Sequence, residues 1–171
     1  MSQKCKELFP QEDIVSIIKF YGDPRGSNGQ VSKKWFSENM VKWSPPYTIY
    51  YSDGKRTPLK TIFLHKKVVS AYTAAFTEVK NTFEPKEIEA LRLNISGGAF
   101  NYRVVRGGNR LSTHAFGIAI DMDPARNPYP KKWKEGMINR EFCDILMRNG
   151  IWWRGHNGDI DPMHFQCAWR N

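Results

Sequence analysis

The stretch STHAFGIAID, residues 112–121, constrains the fold more than any other part of the chain. Ile118 and Ile120 alternate with Gly117, Ala119 and Asp121, and a period of two marks a strand with one face buried. The isoleucines belong to a core behind the strand. The other face carries two small residues and then a carboxylate, with His114 just upstream. A bend at Ala115-Phe116 brings His114 and Asp121 to one point, and Gly117 and Ala119 are expected to leave room above the strand.

The remaining elements are read around that strand. FPQEDIVSIIKFYG (9–22) has a proline and acidic residues ahead of an apolar stripe, which predicts a helix opened by Pro10. The stretch from 22 to 46 is loop-like and irregular. Residues 47–65 read as two strands around an Asp53-Gly54 turn, with Pro58 at an edge. Residues 66–83 form the clearest amphipathic helix, with Val69, Tyr72, Ala75, Phe76 and Val79 on one face. A short helix at 85–92, a strand around 102–105, a basic glycine loop RGGNR (106–110) and a helix over 137–150 follow. IWWR and MHFQCAW supply the last strands. Without βαβ regularity, the expected class is α+β: a single domain with a small antiparallel sheet and flanking helices. Residues 1–46 are expected as an N-terminal helix and arm packed on a core domain of 47–171.

Charge narrows the partners. The chain has 26 Lys+Arg against 17 Asp+Glu, a net +9, which favours nucleic acid, anionic lipid or an acidic wall polymer. No zinc-finger, RRM or basic-helix pattern supports nucleic acid. No apolar run approaches the roughly 20 residues that span a bilayer, so no stable membrane association is expected. Cys5, Cys143 and Cys167 lack CxxC spacing, which argues against a disulfide framework or a cysteine zinc site. The start, MSQKCKELFPQEDI, shows no apolar signal region, so synthesis in the cytoplasm without a signal peptide is expected, as a monomer.

A second histidine–aspartate pairing stands in DPMHFQ (161–166). With His164 on a neighbouring strand, His114, Asp121 and His164 make a set of two imidazoles and one carboxylate. That donor set suits Zn2+ and leaves a fourth tetrahedral position for water. Asp161, three positions before His164, would stand beside that water as a general base. Arg103, in FNYRVVRGG, is a nearby cation suited to a developing oxyanion.

These residues carry a resemblance. STHAFGIAID resembles the Ser-x-His-x-x-Gly-x-Ala-x-Asp signature of the zinc peptidoglycan peptidases, and DPMHFQ is similar to that family's second signature. The family joins D-Ala-D-Ala carboxypeptidases of the vancomycin-resistance type to L-alanyl-D-glutamate endopeptidases of phage endolysins. NYRVVRGGNRLSTHAFGIAIDMDPARNP resembles the phage branch well beyond the ligand positions. The resemblance implies a hedgehog/DD-peptidase-like fold, zinc on His114, Asp121 and His164, Asp161 as catalytic base and Arg103 as transition-state cation. It also implies a peptidoglycan stem peptide as substrate, cut at the L-Ala–D-Glu bond after holin-type release to the wall. The resistance-type enzymes carry Glu at the base position, so the shorter Asp161 favours the endolysin branch. D-Ala–D-Ala carboxypeptidase action is the alternative, and a non-catalytic zinc-containing wall-binding module is another.

Several residues compete with these roles. Asp123 shares the strand parity of Asp121 and is a rival ligand. His156 reads as a loop histidine near substrate, and His65 as structural. Ser112 and Thr113 lack a Gly-x-Ser-x-Gly elbow and are expected to set the His114 bend. Trp152, Trp153, Phe165 and Trp169 read as core plus one cleft wall. RGGNR and PKKWK read as solvated basic loops that could draw the protein to an anionic polymer.

Overall fold

A computed structural model describes residues 3–170. The architecture is α+β in one domain, with helices set against a small five-stranded sheet and a separate two-stranded ribbon. In chain order the elements are α1 (Gln3–Leu8), α2 (Ile14–Tyr21), α3 (Lys33–Asn39), β1 (Met40–Trp43), β2 (Tyr50–Tyr51), β3 (Ile62–His65), α4 (Val69–Thr82) and α5 (Pro85–Ala90). They continue with β4 (Ile95–Gly98), β5 (Ala119–Met122), α6 (Arg140–Arg148), β6 (Trp152–Trp153) and β7 (His164–Gln166). The large sheet runs β2-β4-β5-β7-β6, antiparallel except for the β2–β4 pair, and β1 pairs antiparallel with β3. Among the described residues no helix is long and apolar enough to cross a membrane.

The period of two decides which face of β5 and β7 meets which neighbour. Ile120 pairs with Phe165, and both are fully buried. Phe165 meets Phe142 of α6 edge-on at 5.8 Å, and Phe142 meets Phe76 of α4 at 6.1 Å. Tyr72 of α4 donates its hydroxyl toward the carbonyls of Ile118 and Phe165 at 3.3 Å. Helices α4 and α6 therefore close one face of the sheet. Asp121 and His164, also direct cross-strand partners, are left on the opposite face.

Four local expectations need correction. Pro10 does not open α2. Residues 10–12 run extended beside Trp169, and the helix starts at Ile14, where the Asp13 carboxylate accepts the Ser16 N–H at 2.8 Å. The stretch 33–43 is not irregular: Ser32 caps α3, and β1 follows it into the ribbon with β3. The turn after Tyr51 exists, but its antiparallel pairing is a single bridge from Tyr50 to Pro58. Proline has no N–H to extend a ladder, and β3 crosses away to pair with β1. Around 102–105 there is only a Val104–Leu111 bridge, so RGGNR forms the tip of a short, irregular hairpin. β4, built on the sequence ISGG, had no strand-like signal and was missed.

Candidate metal centre and its cleft

His114 sits in a one-turn 3-10 helix, Thr113–Phe116, whose N-terminus is capped by the Ser112 hydroxyl accepting the His114 N–H at 3.3 Å. Gly117 ends that turn in the left-handed region, at φ 65°. A Cβ there would lie 2.3 Å from Met40 Cε, so the positive φ favours glycine and a larger residue would have to displace the end of the Met40 side chain. The space a Cβ would take at Gly117 is filled by Met40, so it is not the opening for a ligand that was expected there. The turn returns the chain into β5 with His114 facing Asp121.

Three donor atoms meet. His114 Nε2 lies 3.2 Å from Asp121 Oδ1, His164 Nδ1 lies 3.0 Å from the same oxygen, and the two nitrogens are 3.1 Å apart. Three ligands at about 2.0–2.1 Å from a tetrahedral zinc would be about 3.3–3.4 Å from one another, so the triangle fits such an ion with a slight spreading. Both rings are turned to offer lone pairs. His114 Nδ1–H donates to the Ala99 carbonyl at 2.6 Å, which leaves Nε2 free as an acceptor. His164 Nε2–H donates to Gln166 Oε1 at 2.8 Å, which leaves Nδ1 free. Without a cation, three electron-rich atoms this close would repel.

Protons on the imidazoles can take the place of that cation, and the pKa directions are those of protonated rings against the carboxylate. Burial pushes the Asp121 carboxyl up, but the two imidazoles outweigh it and hold the group well below the usual carboxylate range. Burial disfavours charge on His164, yet its contacts with Asp121 leave its pKa above that of an ordinary imidazole.

The triangle lies in an open cleft of about 310 Å³ that Arg103, Arg106, Asp161 and Met163 also line. Asp161 Oδ1 is buried and has no hydrogen-bond partner among the described residues. A buried acceptor left without a donor costs about 1–3 kcal/mol, which marks a position where a donor is expected to arrive. Burial, reinforced by the Asp121 charge, raises the Asp161 pKa above the ordinary value. Arg103 lines the same cleft, and its guanidinium donates to the Val104 carbonyl at 3.2 Å.

The rivals are placed elsewhere. β5 ends at Met122 and Asp123 takes φ 42°, so strand parity does not carry its carboxylate to the triangle. It is instead held by Arg92 through two 2.6 Å hydrogen bonds. His156 packs edge-on against Trp152 and is not part of the cleft lining. His65 is buried, its Nε2–H donating to the Tyr21 carbonyl and its Nδ1 accepting the Lys67 N–H, each at 3.1 Å. The aromatic cluster stays in or beside the core: Trp153 stacks on Phe165, and no tryptophan lines the cleft. PKKWK is largely exposed, whereas both arginines of RGGNR line the cleft.

Sequence reasoning missed Glu12, Gln166 and Arg154. Glu12, far away in sequence, reaches the cleft floor with its side chain 3% exposed. It accepts hydrogen bonds from Arg110 at 2.9 Å and from Gln166 Nε2 at 2.8 Å. No periodicity or motif near Pro10 signals this contact. Gln166 had a legible signal, since it follows His164 at the spacing that shares a strand face.

A family model described as D-alanyl-D-alanine carboxypeptidase matches residues 106–167. That segment contains all three atoms of the triangle and Asp161, while Arg103 and Glu12 lie outside it. No curated protein and no solved structure matches the chain.

Proposed function

We propose that the chain is a zinc metallopeptidase of peptidoglycan stem peptides, acting as an L-alanyl-D-glutamate endopeptidase. The observation that carries this reading is the triangle of His114 Nε2, Asp121 Oδ1 and His164 Nδ1, with both imidazole tautomers set by outer hydrogen bonds. It lies in the segment that matches a peptidase family. Zinc held by these residues would supply Lewis acidity and make water a usable nucleophile near neutral pH.

The chain's own groups supply the rest. Asp161, unpartnered at Oδ1 and with its proton affinity raised by burial, is suited to take a proton from water and pass it to the leaving amine. Arg103 on the cleft wall is suited to hold the oxyanion. Arg110 and Arg154 are paired with Glu12. Arg106, stacked over Tyr129 at 5.6 Å, makes no ion pair among the described residues and complements the free carboxylates of a stem peptide. A purely wall-binding module would have no use for a buried unpartnered carboxylate beside a metal cluster.

The description of the matching family favours a second reading, D-alanyl-D-alanine carboxypeptidase action. The endopeptidase reading rests on Asp at position 161 and on the phage-type resemblance of residues 101–128. Action on the wall as a monomer, after release through a membrane lesion, belongs to the same proposal. Mass spectrometry of purified peptidoglycan digested by the zinc-loaded protein separates the two. New D-Glu amino termini are the expected result. Release of D-Ala alone would establish the second reading, and an undigested wall would refute both.

A further inference from the structure

We infer that Glu12 is a positioning residue for the metal centre: it sets the orientation of the Gln166 amide and through it the tautomer of His164. The inference rests on reading His114, Asp121 and His164 as metal ligands. It gives the N-terminal segment a part in the site.

Gln166 is fully buried, and its Nε2 donates to Glu12 Oε2 and to the Ala168 carbonyl, each at 2.8 Å. Both partners can only accept, because the Glu12 carboxyl is ionised. Burial opposes that charge, but Arg154 and Arg110 outweigh it and lower the Glu12 pKa. An inverted amide would point its oxygen at two acceptors and lose both bonds. Oε1 must therefore face His164 Nε2 at 2.8 Å, with the Thr113 hydroxyl donating to the same oxygen at 3.2 Å. An acceptor there requires the proton on Nε2, which keeps Nδ1 available to a metal. The arrangement extends the usual support of a ligand histidine by one further residue.

The backbone holds Glu12 in place independently of its carboxylate. The Glu12 N–H donates to the Trp169 carbonyl at 2.7 Å, and the Trp169 N–H to the Pro10 carbonyl at 3.1 Å. A side-chain substitution thus leaves the segment anchored.

The test is a double-mutant cycle read as zinc affinity by chelator competition, with urea stability of the metal-free proteins measured alongside. Glu12→Gln can donate as well as accept, so it removes one of the two acceptors that exclude the inverted Gln166 amide, the Ala168 carbonyl remaining. It should weaken zinc binding about tenfold, within the range for outer-sphere partners. In a Gln166→Glu background an acceptor faces His164 in either orientation but the second oxygen meets the Glu12 carboxylate, so adding Glu12→Gln, which can donate to it, should raise zinc affinity instead of lowering it. Equal losses in both backgrounds would make Glu12 a merely structural residue and overturn the inference, as would unchanged affinity in Glu12→Gln. If Glu12→Gln does not fold, Gln166→Glu, which keeps an acceptor at His164 although it loses both Nε2 bonds, should lose less zinc affinity than Gln166→Met, and equal loss in those two variants contradicts the claim. Failure of the unaltered protein to bind zinc would instead refute the metal-centre reading itself.

Discussion

Asp121 and Asp123 stand two residues apart, yet they meet opposite surroundings. Asp123 is sealed: its side chain is 3% exposed and grips Arg92 through two short hydrogen bonds, with Arg126 3.7 Å away. Asp121 faces two imidazoles that present lone pairs, on the wall of an open cleft. The partner, not the carboxylate, decides the role. An arginine satisfies a carboxylate by itself, whereas two neutral imidazoles leave the group in need of a cation.

Exchanging the two aspartates for asparagine breaks this comparison most sharply. Asp121→Asn should abolish zinc retention and peptidase activity together while the chain still folds. Asp123→Asn should keep zinc but weaken the contact with the part-exposed Arg92 guanidinium, costing about 1–2 kcal/mol of stability, between the values for exposed and buried pairs. Metal analysis and urea denaturation of both variants decide between these outcomes. Zinc loss in Asp123→Asn without loss of fold would reverse the assignment.

Asp161 and Arg103 extend the comparison to cleft groups off the triangle. Asp161→Ala should retain zinc and lose turnover by about 10²–10⁴, the usual share of a general acid–base group. Arg103→Ala should also retain zinc and lose about 10²–10³ in kcat, as for removal of one oxyanion donor. Zinc loss in the Asp161 variant would make that residue a ligand. Near-normal activity would remove Asp161 as the base.

His65 is the sealed counterpart of the two cleft histidines. Burial, against the Tyr21 hydrogen bond, pulls its pKa down from the model-compound value of 6.5 to about 4. The unfolded chain therefore takes up this proton first, so stability held above about pH 6.5 is lost as pH falls toward 4. The loss should be on the order of 2–3 kcal/mol, since each pKa unit is worth about 1.4 kcal/mol. Urea midpoints from pH 7 to 4 should show the decline in the unaltered protein and a shallower one in His65→Gln. Equal slopes would remove His65 as the cause.

The smallest effect concerns Arg106. Its exposed side chain makes no ion pair among the described residues, and an exposed charge contact is worth about 0–1 kcal/mol. Arg106→Gln should raise KM for an acidic stem peptide a few-fold with kcat unchanged. A fall in kcat would place Arg106 among the reacting groups.

The sequence was most informative where local rules suffice. Alternation in GIAID marked β5, the stripe of 66–83 marked α4, and the spacing of His114, Asp121 and His164 anticipated the side chains that converge. What stayed hidden depends on distant partners. Asp123 kept its apparent strand parity until a positive φ and Arg92 turned it away. β4 forms from ISGG because its neighbours β2 and β5 pair with it, not through intrinsic preference. Glu12 reaches Gln166 across 154 positions, a contact no local pattern encodes.

The most direct test of the metal centre is a crystal structure grown with zinc, with anomalous scattering recorded at the zinc edge. One peak is expected at about 2.0–2.1 Å from His114 Nε2 and His164 Nδ1, with Asp121 as the third protein ligand. A peak built on Asp123 or His156, or no peak at the triangle, would contradict it.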